Sequence, residues 1–331
     1  MMRDMRHVFK PVFRTVTVAG VLSLGACQPA DHTVDSAAIT WPSSYPMDGD
    51  YRMSDGQVIG THNSYHQEPD ENVISAWAYT HRPLDEQLDL GVRQFEIDIV
   101  RDPANGELLV QHVPYLDDKS TCRSFEDCLT LLREWSDMHP WHFPLQILVE
   151  PKDEFPDWAV TDHFDDVDEI IEEIWGNKTW NPDAVQGDYQ TLREAVTTDG
   201  WPALADSRGH AIFVLLDGGD PRNAYSTDLS HLDGRAMFVL ADADHPLAAY
   251  FLQDNPASTE AIQELVSQGF LVRTRIDTDL ELDPKRHSLA IESGAHALST
   301  DVPEDLSLDA AHPVACNPVM SRKDCTPEDL E

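Results

Sequence analysis

The chain is poor in positive charge, and none of its apolar runs is long enough to cross a bilayer. Its 331 residues carry 23 Lys and Arg against 60 Asp and Glu, a formal net charge of −37. Such a surface repels nucleic acid and, unaided, anionic lipid. Adaptation to a saline habitat would produce the same excess, so most of these carboxylates are read as solvated surface. The apolar stretch from Val16 to Ala26 falls short of the roughly 20 residues that span a membrane, and it follows Arg3, Arg6, Lys10 and Arg14. That arrangement is a secretory signal. Cysteine is scarce, with five in the chain. Neither Cys122 with Cys128 nor Cys316 with Cys325 has the two-residue spacing of a zinc knuckle. No Gly-rich phosphate loop follows the first strand-like run, and there is no internal repeat or low-complexity block.

Among the features present, Leu24-Gly25-Ala26-Cys27 resembles a bacterial lipobox. Residues 1–26 are therefore expected to be removed and Cys27 to carry acyl chains, anchoring the protein to a membrane surface. An ordinary signal peptide with Cys27 there by chance is the alternative. Gln28 after the cysteine is compatible with outer-membrane sorting. Residues 1–26 hold four basic groups and one acidic group, so the remainder has 19 basic against 59 acidic residues, a formal charge of −40. Export would oxidise neighbouring cysteines, and two local disulfides, Cys122 with Cys128 and Cys316 with Cys325, are expected. Residues 27–50, rich in Ser, Pro, Asp and Thr, read as a flexible tether. Residues 51–331 read as one folded domain, expected to be a monomer.

Within that domain, strand-like runs alternate with helical ones. Strands are expected at 92–100, at 107–113 after an Asn105-Gly106 turn, and at 145–150, 211–216, 236–240, 270–276 and 296–300. Helical spacing marks 122–138, 157–175, 190–196 and 258–268. The alternation over about 250 residues argues for a (β/α)8 barrel of the TIM type, with an open doubly wound sheet as the alternative.

In a barrel the strand ends converge at one face, where active sites form. His62 and Asn63 follow the short apolar run that ends in Val58 and Ile59. Glu96 and Asp98 share one face of their strand by alternation. His112 sits at the end of the next run, and Glu150 and Lys152 at the end of the one after. Three carboxylates cannot share a small volume without a cation. Hard oxygen donors with no thiolate suit Ca²⁺, or less well Mg²⁺, over zinc. The two histidines remain for proton transfer.

Gly60-Thr-His-Asn-Ser-Tyr65, Phe95-Glu-Ile-Asp98, Gln111-His112 and Leu148-Val-Glu150 together resemble the motifs of the bacterial calcium-dependent phosphoinositide phospholipase C-like family. Leu271-Val-Arg-Thr-Arg-Ile-Asp277 and Ala297-Leu-Ser-Thr-Asp301 extend the resemblance, which runs from about Asp55 to Pro303. It implies a barrel enzyme that cleaves a phosphoinositide-like phospholipid, or another phosphodiester, by attack of an inositol hydroxyl on phosphorus. It further implies Asn63, Glu96, Asp98 and Glu150 as Ca²⁺ ligands, His62 on the phosphoryl oxygens and His112 as general acid. Lys152 and Arg273 or Arg275 would contact phosphate or headgroup. Metal-independent relatives carry Arg where this chain has Asp98.

His66, His81, His139, His142 and His163 are read as structural or exposed. Trp77 and Tyr79 are the aromatics that could touch substrate, and Asp277 and Asp279 are read as rim residues. A glycerophosphodiester phosphodiesterase is the nearest rival, although it would normally show His-Arg-Gly where this chain has His62-Asn63-Ser64. A surface-anchored binding protein that has lost turnover is the other.

Overall fold

In the computed structural model, which describes residues 45–70, 74–306 and 310–331, eight parallel strands make up the barrel. They are β1 (Gly56–Thr61), β2 (Val92–Arg101), β3 (Leu145–Pro151), β4 (Ala211–Leu215), β5 (Met237–Val239), β6 (Tyr250–Leu252), β7 (Leu271–Arg275) and β8 (Ala297–Thr300). Hydrogen-bonded neighbours run β5-β4-β3-β2-β1-β8-β7-β6, and a parallel bridge between Leu240 and Tyr250 closes the ring. Short apolar runs of this kind form strands because both faces are covered, one by the barrel lumen and one by helices.

Register sets which side chains meet. Glu96 pairs with Leu148 and Asp98 with Glu150, so the two carboxylates of β2 and the one of β3 project together into the lumen. Phe95, Ile97, Ile147 and Val149 alternate to the outside and are buried under the helices. The helix Phe125–Met138 begins at a capping box in which Ser124 and Asp127 satisfy each other's backbone N–H. It buries Phe125, Leu129, Leu132 and Trp135.

Three sequence expectations change here. The run 107–113 contributes only the strand Leu108–Val110, which pairs antiparallel with β2 as a hairpin and is not a barrel stave. No strand is expected after 296–300, yet Val314–Cys316 pairs antiparallel with β1. The expected tether also stops short of residue 50. Asp48 forms a two-bonded ion pair with Arg208 at 2.7 and 2.8 Å, and the Arg208 guanidinium lies 3.5 Å from the Tyr45 ring centroid. The signal segment and Cys27 lie outside the described residues.

Both disulfides form, Cys122–Cys128 and Cys316–Cys325. They suit an oxidising compartment outside the cytoplasm. No helix among the described residues is long and apolar enough to cross a membrane. The C-terminal segment is held by a buried ion pair, Arg93 Nη2 to Glu331 Oε1 at 2.5 Å, with Glu331 Oε2 also accepting from the Phe143 N–H at 2.6 Å. Glu331→Gln leaves that guanidinium without a counter-charge and is expected to cost about 3–5 kcal/mol, read as a lower urea midpoint. A change under about 1 kcal/mol would contradict it.

Two buried histidines make the fold acid-sensitive. The Val272 N–H donates to His296 Nδ1 at 3.1 Å, so that nitrogen must be unprotonated, and Nε2–H donates to the Ser54 carbonyl. Burial lowers His296 to about 4 and His142 to about 3. Both folded values lie below the ordinary one, so the unfolded chain binds more protons below about pH 6.5. Stability is therefore complete above that pH and lost as pH falls towards 4. The expected loss between pH 7 and pH 5 is on the order of 2 kcal/mol per histidine by urea unfolding.

Candidate active site

The chain turns sharply after β1, and the turn carries His62 and Asn63. Asn63 has φ +43, a left-handed conformation that Asn tolerates better than most residues. Ser64 locks the turn onto β2, its N–H donating to the Glu96 carbonyl and its Oγ accepting from the Glu96 N–H, both at 2.8 Å. A Cβ at Gly60 would sit 1.9 Å from Gln94 Oε1, so glycine makes room for a side chain crossing the lumen.

Around this turn the structure gathers the expected residues. Carboxylate oxygens of Glu96, Asp98 and Glu150 all lie within 4.8 Å of one another. Asn63 Nδ2 donates to the Tyr79 hydroxyl at 3.2 Å, while its Oδ1 is buried without a hydrogen-bond partner. Asp98 Oδ1 is likewise buried and unpartnered. Lys152 Nζ bridges Asp98 Oδ2 at 3.1 Å and Glu150 Oε1 at 2.7 Å. Burial and the Asp98 charge push Glu150 up to about 7, and burial pushes Asp98 above the usual carboxylate range despite Lys152. Lys152 therefore has to offset Asp98 and Glu150 together, while Glu96 is met by the Arg273 guanidinium at 2.7 Å. Orphaned hard oxygens facing a crowded anionic cluster fit a divalent cation such as Ca²⁺.

Two histidines flank the cluster, each backed by a carboxylate. His62 Nδ1 lies 2.7 Å from Asp301 Oδ1, and its Nε2 lies 3.4 Å from Glu96 Oε1. Burial alone would lower His62, but Glu96 and Asp301 outweigh it and hold the imidazole above its ordinary value. Burial would raise Asp301, yet His62 and Arg275 hold it well below the carboxylate range. On the other side His112 Nδ1 lies 2.8 Å from Asp117 Oδ2, with the Trp77 ring edge-on at 5.6 Å.

Arg273 occupies a different place from the one expected. It is 2% exposed and its guanidinium is committed to Glu96 Oε2 at 2.7 Å, Asp254 Oδ1 at 2.6 Å and Ser299 Oγ at 3.2 Å. It supports Glu96 from beneath and does not face a substrate. Arg275 is pinned between Asp277 Oδ1 and Asp301 Oδ2. Asp277, expected on the rim, is buried, and its Oδ2 accepts from the Thr300 hydroxyl and the Asp301 N–H. His66, Tyr79, Asp117 and Asp301 complete the surroundings. Of these, Asp301 carries a sequence signal, as the Asp that closes the run at the end of β8.

Comparison with known proteins places this architecture. A Ca²⁺-dependent phosphatidylinositol-specific phospholipase C from Streptomyces antibioticus shares the fold at 19% identity and TM-score 0.60, over 76% of this chain and 96% of that one. A calcium-dependent phosphoinositol-specific phospholipase C from a Gram-negative bacterium, Pseudomonas sp., does so at 16% identity and TM-score 0.58, over 82% and 97%. Its myoinositol complex matches at 15% identity and TM-score 0.57, over 82% and 97%. The curated proteins contain no match. The family model for Phosphoinositide phospholipase C, Ca2+-dependent, matches residues 51–109 and 107–317, and the chain belongs to that family.

Proposed function

We propose that the protein is an exported phospholipase C that cleaves the glycerol-phosphate bond of a phosphoinositide-like lipid. The observation that carries this reading is a cluster of three carboxylates and an orphaned Asn63 Oδ1, set between two histidines that each have a carboxylate behind them. Asn63, Glu96, Asp98 and Glu150 would hold Ca²⁺. Bound there, the ion would supply positive charge at the non-bridging phosphoryl oxygens, where charge grows in the transition state.

The remaining chemistry falls to the side chains. His62 Nδ1–H donates to Asp301, which turns Nε2 towards the substrate side, 3.4 Å from Glu96 Oε1. Nε2 takes the proton of an inositol hydroxyl as that oxygen bonds to phosphorus, and the same imidazole then lies against the phosphoryl oxygens. His112 Nδ1–H donates to Asp117, so its Nε2–H faces outward. As the bond from phosphorus to the glycerol oxygen breaks, His112 gives that oxygen its proton. A cyclic inositol phosphate and diacylglycerol leave, and each proton is accounted for. Lys152 and Arg275, at the edge of the cluster, would meet phosphate or headgroup. Arg273 would act on Glu96 alone.

Incubation of the full chain with phosphatidylinositol and Ca²⁺, with mass-spectrometric product analysis, tests the reading. Cyclic inositol phosphate plus diacylglycerol is the expected pair. Glycerophosphate with a free alcohol would favour the glycerophosphodiester reaction, and calcium binding without turnover the non-catalytic one. Anchoring through Cys27 is part of the proposal, supported by the lipobox-like residues before it and by the two disulfides. Cys27→Ser is expected to move the protein from the membrane fraction to the soluble fraction of expressing bacteria. Unchanged partition would remove the anchor.

A further inference from the structure

His66 takes no part in the chemistry above, yet its ring is fully buried and reaches both halves of the site. Its Nδ1–H donates to the Tyr79 carbonyl at 3.1 Å, and its ring stacks on the Tyr79 ring with centroids 4.2 Å apart. The Tyr79 hydroxyl accepts from Asn63 Nδ2, which fixes the amide so that Oδ1 is the free end. On its other side, His66 Nε2 lies 2.9 Å from Asp117 Oδ1 and 3.0 Å from Oδ2. Asp117 Oδ2 in turn meets His112 Nδ1.

The loop that carries Asp117 is closed by its own backbone. The Val113 and Asp117 N–H groups donate to each other's carbonyls at 2.9 Å, with Tyr115 at φ +68 in between. Burial would raise Asp117, but hydrogen bonds from His112 and His66 outweigh it and hold the carboxyl below its usual range. Asp117 is 0% exposed. Its carboxylate oxygens are held by the two imidazoles.

We infer that His66 is a positioning residue that couples the two halves of the site, holding the cation ligand Asn63 through Tyr79 and the general acid His112 through Asp117. This inference rests on the roles proposed above for Asn63 and His112. The physical basis is that an outer partner fixes the rotamer and tautomer of the group that does the chemistry. Asp117 keeps the His112 proton on Nδ1 directed inward, so the mobile proton sits on Nε2. His66 prevents Asp117 from rotating away, and the same ring keeps the Tyr79 segment where its hydroxyl meets Asn63.

Four variants of the full chain separate the arms. Each is measured with phosphatidylinositol, whose leaving group, diacylglycerol, needs a proton on its oxygen, and with a 4-nitrophenyl ester of inositol phosphate, whose nitrophenolate leaves without one. His66→Phe keeps the stack on Tyr79 and removes both hydrogen bonds. It is expected to lower kcat on the lipid by about 30-fold with KM within about twofold, and to weaken Ca²⁺ binding by about tenfold in calorimetry. Its loss on the nitrophenyl ester should be about one-tenth of that on the lipid or less. Asp117→Asn should reproduce the leaving-group effect only, and Tyr79→Phe the calcium effect only. His66→Gln, whose amide keeps a donor towards Asp117, should recover most of the kcat on the lipid.

Equal losses of His66→Phe on both substrates would overturn the inference. So would a lower melting temperature with kcat and Ca²⁺ affinity unchanged. If the native chain forms no cyclic phosphate, the functional reading fails by itself. The coupling is then judged on calcium affinity and on the nitrogen signals of the His112 ring, and if His66→Phe shifts neither, it is overturned as well.

Discussion

Replacing His112 by alanine is expected to lower phosphatidylinositol cleavage by about 10²–10⁴-fold, with folding and Ca²⁺ affinity intact. The leaving oxygen belongs to an alcohol, and expelling it as an alkoxide at neutral pH is unfavourable unless a proton arrives as the bond breaks. His112 is the group placed to deliver one. Its ring is 22% exposed and held at Nδ1 by Asp117, and Trp77 packs edge-on against it. The truncation should be tolerated structurally, because Asp117 keeps its bonds to His66 and to the 113–117 loop. The nitrophenyl ester separates the effects, since its loss should be far smaller. A variant within about tenfold of native on the lipid would remove His112 from the role of acid.

Asp98→Asn is expected to have the second large effect, through the cation. Both Asp98 oxygens are buried, one is orphaned, and the residue sits between Glu96 and Glu150. With calcium at about 100 times its dissociation constant, the native chain should gain about 2.7 kcal/mol of unfolding stability. The asparagine variant should gain less than about 0.5 kcal/mol at the same concentration. Its activity should fall about 10³-fold or more, because the charge at the phosphoryl oxygens contributes several kcal/mol. Without calcium the variant should be no less stable than native, since removing one of three crowded carboxylates relieves repulsion. Strong destabilisation of the calcium-free variant would mean that Lys152 and the carboxylates form a structural ion-pair network, not a cation site.

How much of this was legible beforehand follows from what strands encode. The alternation of Phe95, Glu96, Ile97 and Asp98 already places both carboxylates on one face, and in-register pairing with β3 puts Glu150 beside them. His112 is placed only in part by the sequence. It ends no barrel strand and comes from the loop after the antiparallel hairpin Leu108–Val110. Short strands such as Tyr250–Leu252 and Val314–Cys316 left no signal, because three residues cannot display a period. Arg273 was misplaced because a cation near anionic chemistry suggests a phosphate contact, whereas here burial commits it to Glu96 and Asp254. His66 and Asp117 were unreadable for a related reason. They lie in loops with no periodic pattern, 51 residues apart, and meet only because both loops close over the same strand ends.

The claim at the centre of this account is that Asn63, Glu96, Asp98 and Glu150 hold one Ca²⁺ between His62 and His112. Anomalous diffraction from crystals grown with calcium tests it directly. The expected result is a single peak about 2.3–2.6 Å from oxygens of all four residues, with Lys152 displaced from at least one of its two carboxylates. A cluster with no peak, Lys152 still bridging Asp98 and Glu150 at saturating calcium, would contradict it.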